Sequence, residues 1–142
     1  MAHAGQEIRG PGGYRLLLVR TAAETDGELL EMEAVYADAA GLPPEHLHPS
    51  QEERFEVLEG SVHAVIGDVE RRYGPGEAFT VPPNTPHRMA ADGPARMRWE
   101  VRPALRTAEF FERLYGDGPD SAREAASPAG FVAEFAGEIR LT

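Results

Sequence analysis

His46 and His48 stand two residues apart in a segment that reads as extended chain, so their imidazoles leave on one face while Leu47 points the other way. Two imidazoles so placed can hold one cation from adjacent coordination positions, at the roughly 2.0–2.1 Å that zinc-like ions take from nitrogen. A carboxylate follows. Of Glu52 and Glu53, alternation selects Glu53, which shares a strand face with Phe55 and Val57, whereas Glu52 shares one with Arg54 and Glu56. A buried carboxylate without a partner is costly, and a divalent cation is the simplest partner. His87 is the third nitrogen donor, presented by Pro82-Pro83-Asn84-Thr85-Pro86, whose three prolines stiffen the turn. The chain has no cysteine, which excludes disulfides, thiolate zinc sites, iron–sulfur clusters and a cysteine nucleophile. Any metal is therefore held by nitrogen and oxygen. The other histidines, His3 and His63, read as ordinary surface or core residues, His63 lying on the opposite strand face from Val62 and Ala64.

Donors this far apart along the chain need strands to bring them together. Fifteen Gly and twelve Pro in 142 residues predict frequent turns and many short strands. Residues 1–13 read as a flexible lead-in or loose edge strand. Strands are expected at Tyr14–Thr21, Glu28–Tyr36, Glu53–Glu59, Ser61–Ile66, Ala78–Val81 and Arg96–Arg102, with turns at Asp26-Gly27, Gly60 and Gly74-Pro75-Gly76 and a two-residue hairpin at Gly67-Asp68. The last of these strands alternates most clearly, with Met97, Trp99 and Val101 on one face and Arg96, Arg98, Glu100 and Arg102 on the other. Phe55, Val57, Phe79, Val81 and Trp99 are expected to line the pocket around the donors, although Trp99 and Tyr36 fit core packing equally well. After Pro103 the pattern becomes helical. Thr107 caps a helix with Glu109 in its first turn and Gly116 at its end, and the pairs Phe110/Leu114 and Phe111/Tyr115 stack on one side against the strands. Ser121 and Glu124 form a weak capping box, and Ser127-Pro128 opens a further helix in which Phe131 and Phe135 share a face. The expected organisation is one all-β domain at 1–104 with a helical tail at 105–142.

The formal net charge is −10, with 24 acidic against 14 basic residues, and no basic patch interleaved with aromatics offsets it. Nucleic acid and anionic membranes are therefore disfavoured partners. No run approaches the roughly 20 apolar residues of a membrane helix, and residues 1–11 lack the charged start and apolar block of a secretory signal. A cytoplasmic protein is expected.

The segment from His46 to Glu53, followed six residues later by Gly60, resembles the first cupin motif, G-x5-H-x-H-x3-4-E-x6-G, with Gly41 four rather than five residues before His46. Gly76, Pro82 and His87 fall on the spacing of the second, G-x5-P-x-G-x2-H-x3-N. Asn84 replaces that motif's second Gly, and Ala91 its final Asn, which is not a metal ligand. The resemblance is to small single-domain cupins of the RmlC-like superfamily. It implies an all-β double-stranded β-helix, or jelly-roll barrel, with short C-terminal α-helices and a divalent Fe, Mn, Ni, Zn or Cu ion held by three His and one Glu in the barrel mouth. Many such proteins are homodimers. It also implies a small-molecule partner and open metal positions suited to dioxygenase, isomerase, cyclase or hydrolase chemistry. The alternative is a non-catalytic metal- or ligand-binding cupin, since the sequence offers no acid, base or nucleophile outside the ligand set, and fold alone does not choose.

Overall fold

The computed structural model of the chain describes residues 2–116 and 128–142. The strands are β1 (Glu7–Arg9), β2 (Arg15–Arg20), β3 (Leu30–Tyr36), β4 (His46–Leu47), β5 (Glu52–Glu59), β6 (Val62–Ile66), β7 (Val69–Tyr73), β8 (Ala78–Val81), β9 (His87–Ala91), β10 (Ala95–Arg102) and β11 (Arg140–Leu141). The helices are α1 (Ala22–Thr25), α2 (Thr107–Tyr115) and α3 (Pro128–Ala133). Two antiparallel sheets result, one in the order β1-β2-β3-β10-β5-β8 and the other β11-β4-β9-β6-β7. Among the described residues, no helix is long and apolar enough to cross a membrane.

Period-two alternation puts whole rows of residues on one face. Across the six-stranded sheet, register aligns Leu18, Met32, Trp99, Phe55 and Phe79, and beside them Leu16, Ala34, Met97 and Val57. This apolar face does two jobs. Its β5-β8-β10 half packs on Val62, Ala64, Tyr73 and Ala91 of the five-stranded sheet, with the Phe79 ring stacked between Phe55 at 5.0 Å and Tyr73 at 4.3 Å. Its β1-β2-β3 half is covered by α2, through Ala108, Phe111 and Tyr115. The opposite face carries charges of both signs in register, among them Arg96 between Glu33 at 2.9 Å and Glu59 at 3.1 Å. The strand expected at Arg96–Arg102 is thus β10, and the Gly67-Asp68 hairpin joins β6 to β7 as Ile66 pairs with Val69. The lead-in contributes an edge strand, β1.

The helical readings need correction in places. The Asp26-Gly27 turn is preceded by α1, whose capping box uses the Thr21 side chain and Glu24, a Thr-x-x-Glu pattern. Thr107 does not cap α2; it is the first helical residue, and its buried hydroxyl accepts a 2.8 Å hydrogen bond from Gln51 Nε2. The pairs Phe110/Leu114 and Phe111/Tyr115 do not share one side. Tyr115 packs on the sheet, Phe110 and Leu114 join a separate cluster with Phe131 and Phe135, and Phe111 lies between and touches both. Gly116 ends the helix and Pro128 opens α3. The Ser121–Glu124 capping box and the Ser127 cap lie outside the described residues. The chain does not finish as helix: β11 pairs with β4, Arg140 opposite Leu47 and Leu141 opposite His46.

Gly60 and Gly67 both adopt left-handed backbone, φ +79° and +59°, but their surroundings differ. A Cβ on Gly60 would lie 2.3 Å from the Pro94 carbonyl oxygen, whereas one on Gly67 meets open space. Gly67→Ala is therefore expected to cost about 1–2 kcal/mol from backbone strain alone. Gly60→Ala adds roughly 1–3 kcal/mol of overpacking to the same strain. Urea unfolding of the two variants checks the difference, and equal losses would refute it.

Candidate metal centre

Three local features bring the donors together. First, β4 and β9 pair antiparallel with His46 opposite His87, so adjacent strands of one sheet present both imidazoles. Second, the turn before His87 is tied down: Asn84 takes left-handed backbone, φ +60°, and its N–H donates to the His48 carbonyl at 2.7 Å. Asn serves here as Gly would, because it tolerates that conformation. Third, Glu53 comes from the facing sheet. Register places it between Val101 and Val81, in a row continued by Leu30, so it is a lone carboxylate in an otherwise apolar row. It is 2% exposed, while Glu52 lies on the exposed side.

The ligating atoms of His46, His48 and His87 lie within 4.8 Å of one another. Glu53 Oε1 stands 3.0 Å from His48 Nε2 and 2.9 Å from His87 Nε2. Each imidazole turns its Nδ1 away from this point, towards a backbone carbonyl: Pro44 at 3.1 Å for His46, Glu138 at 2.7 Å for His48 and Thr85 at 2.8 Å for His87. A carbonyl only accepts, so Nδ1 carries the proton in each neutral ring and Nε2 keeps a lone pair. The centre is thus a set of acceptors facing one another. His48 Nε2 and Glu53 Oε1 are both buried without a hydrogen-bond partner. A single proton bridges one N···O pair, whereas a cation among the three imidazoles, two of which also meet Glu53, can serve several of these groups at once. The two Glu53 spacings fit such an ion, because donors at right angles about 2.1 Å from one metal stand about 3.0 Å apart.

Charge follows geometry. Burial alone would favour neutral Glu53, but the imidazoles of His48 and His87, when they are protonated instead of neutral, outweigh it and hold the carboxyl well below its usual range. For His48, burial pushes the pKa down and the Glu53 carboxylate more than restores it, leaving it raised. Burial, followed by repulsion from His87, pushes His46 down to about 4. An imidazole that refuses a proton at neutral pH leaves its lone pair available to a metal.

Of the residues expected to line the pocket, Phe55, Val57, Phe79 and Val81 are packed in the core between the sheets, Val57 with no exposure at all. Trp99 is half-buried and has a role that alternation did not reveal: its indole Nε1 donates to Glu53 Oε2 at 2.8 Å. The carbonyls of Pro44, Thr85 and Glu138 were likewise not legible, since any residue carries one. His63 points outward, bonded to Asp92 Oδ1 at 2.7 Å, and His3 Nδ1 contacts the Ala4 carbonyl. Trp99→Phe keeps the aromatic packing and removes the donor. It is expected to destabilise the metal-free protein by about 1.5–3 kcal/mol, the usual contribution of a hydrogen bond to a charged group. Chemical denaturation measures this, and a loss within error of zero would show that the contact contributes nothing.

Comparison with known proteins places this arrangement. The cupin domain model matches residues 33–101. An RmlC-like cupin from Shewanella frigidimarina superposes with TM-score 0.62 at 19% identity, covering 73% of this chain and 88% of that one. A nucleoside dehydratase of Streptomyces gives 0.58 at 16% identity over 76% of this chain and 86% of its own. An oxalate decarboxylase of Bacillus subtilis gives 0.59 at 20% identity over 70% of this chain and 28% of its own. No curated protein sequence matches the chain significantly. Identities this low establish a common jelly-roll fold, and the differing reactions of the two enzymes show that the fold does not fix the chemistry. All four donors fall inside residues 33–101, the segment that matches the cupin domain model.

Proposed function

We propose that this chain is a metal-dependent cupin enzyme in which His46, His48, Glu53 and His87 hold one divalent transition-metal ion and a small organic substrate reaches the positions they leave open. One observation carries this reading: the ligating atoms of three imidazoles lie within 4.8 Å of one another, two of those rings also meet the buried Glu53 carboxylate, and every Nδ1 is turned to a backbone carbonyl. Nitrogen and carboxylate donors without sulfur suit Fe, Mn, Ni, Zn and Cu alike. When bound, the ion supplies Lewis-acid polarisation of a substrate oxygen and, if redox-active, one-electron chemistry. The protein's own part is preorganisation. Its carbonyls fix ring orientation, Trp99 holds the outer carboxylate oxygen, and the apolar core beneath excludes water. Cupin dioxygenases, isomerases and cyclases fall within this reading.

A non-catalytic metal- or ligand-binding role is the second reading. It is favoured by the outer hydrogen-bond partners of the donors, which among the described residues are backbone carbonyls and an indole, none of them a proton-transfer group. Water-proton relaxation of manganese-loaded protein separates the two. Exchangeable water displaced by small carboxylates or diols supports the enzyme, and a sphere with no exchangeable water supports the binder.

The chain has a single tryptophan, so its fluorescence reports on the centre directly. Titration of chelator-treated protein with nickel or copper is expected to quench Trp99 emission at about one equivalent, and His87→Ala to abolish the quenching. Elemental analysis of protein purified without added metal then identifies the ion. Wild type that neither retains nor takes up any of the five metals would overturn the proposal.

A further inference from the structure

His46 and His87 take their Nδ1 acceptors from two residues upstream, Pro44 and Thr85. His48 does not. Its acceptor is the Glu138 carbonyl, buried, 2.7 Å away and 90 residues later in the chain. We propose that the C-terminal segment 134–142 is a working part of the metal centre. In this view Glu138, clamped by Arg106, is a positioning residue that fixes the His48 ring, so metal binding and docking of the segment stabilise each other. The inference rests on the reading of His48 as a ligand.

The clamp is specific. Glu138 is 6% exposed. Its Oε1 accepts from the Arg106 guanidinium at 3.0 Å and its Oε2 from the Arg106 N–H at 3.4 Å. The same guanidinium donates to the Glu134 carbonyl at 2.7 Å and lies 4.7 Å over the ring of Phe135, which is fully buried. The Glu138 N–H donates to the Phe135 carbonyl at 2.8 Å. Side chain and backbone are therefore both fixed, and the carbonyl is held where His48 needs it. The segment then runs on as β11 along β4, the two-residue strand that begins at His46, and Thr142 N–H reaches the Glu45 carbonyl at 3.2 Å. On its other side β4 has one register pair, His46 with His87. So the strand leading into His48 is held between the sheet and the C-terminal segment. Without the Glu138 acceptor, the His48 proton is free to move to Nε2, which removes the lone pair the metal needs. Coupling of this kind is reciprocal: what the segment does for the metal, the metal does for the segment.

Glu138→Ala and Arg106→Ala test this, because both leave the Glu138 carbonyl in the chain and remove its clamp. Zinc affinity, measured by chelator competition, is expected to fall about 10–100-fold in each, the usual effect of losing a partner that orients a metal ligand. Arg106→Lys, which keeps a cation against Glu138, is expected to recover part of the loss. Hydrogen exchange at residues 138–142 of the wild type should slow when zinc is added. Zinc affinities of wild type and both Ala variants agreeing within about two-fold would overturn the proposal. Wild type that takes no zinc sinks the metal-centre reading instead, and nitrogen NMR of the metal-free His48 ring then decides. A single Nδ1–H form in wild type with mixed forms in the variants supports positioning by the segment; the same form in all three overturns it. Melting curves confirm that each variant is folded when measured.

Discussion

Mutually facing acceptors in a water-poor interior are the constraint around which this molecule is organised. Lone pairs on three imidazole nitrogens and a carboxylate oxygen repel unless positive charge sits among them, and burial removes the water that would otherwise screen them. The fold does not relieve this by rotating the rings. It fixes them instead, through three Nδ1–H bonds to backbone carbonyls and an indole bond to the far carboxylate oxygen. An acceptor set so restrained has the chemistry to hold a cation.

The two sheets divide the work. The five-stranded sheet and its approach loops contribute the imidazoles, and the six-stranded sheet contributes Glu53 from an apolar row. Neither sheet holds the site alone, so its geometry depends on the packing between them. That packing centres on the stacked rings of Phe55, Phe79 and Tyr73. Phe55 also stacks on Trp99 at 5.3 Å, which links the core to the residue that steadies Glu53.

Beyond the matched domain, the C-terminal residues reach the site along two routes. Phe111 of α2 packs edge-on against Trp99 at 5.3 Å, and Glu138 meets His48. Gln51 joins the routes: fully buried just before β5, it donates to the Pro103 and Ala104 carbonyls and to Thr107, anchoring the start of α2 beside the strand that carries Glu53. What reads as an appended tail is structurally continuous with the centre.

Much of this was legible in the residues. The i,i+2 spacing of His46 and His48, the alternation that separates Glu53 from Glu52, and the stiff Pro-rich turn before His87 are local properties, and local geometry fixes which way such side chains leave the backbone. The same holds for β10 and the Gly67-Asp68 hairpin. Tertiary structure alone decided the rest. It sent Trp99 to Glu53, spread the aromatic residues of α2 over two clusters with Phe111 bridging them, drew the Thr107 hydroxyl to Gln51 and brought the Glu138 carbonyl to His48. The physical reason is that hydrogen-bonding carbonyls are carried by every residue and packing partners are chosen by proximity after folding, so neither leaves a periodic or compositional mark along the chain.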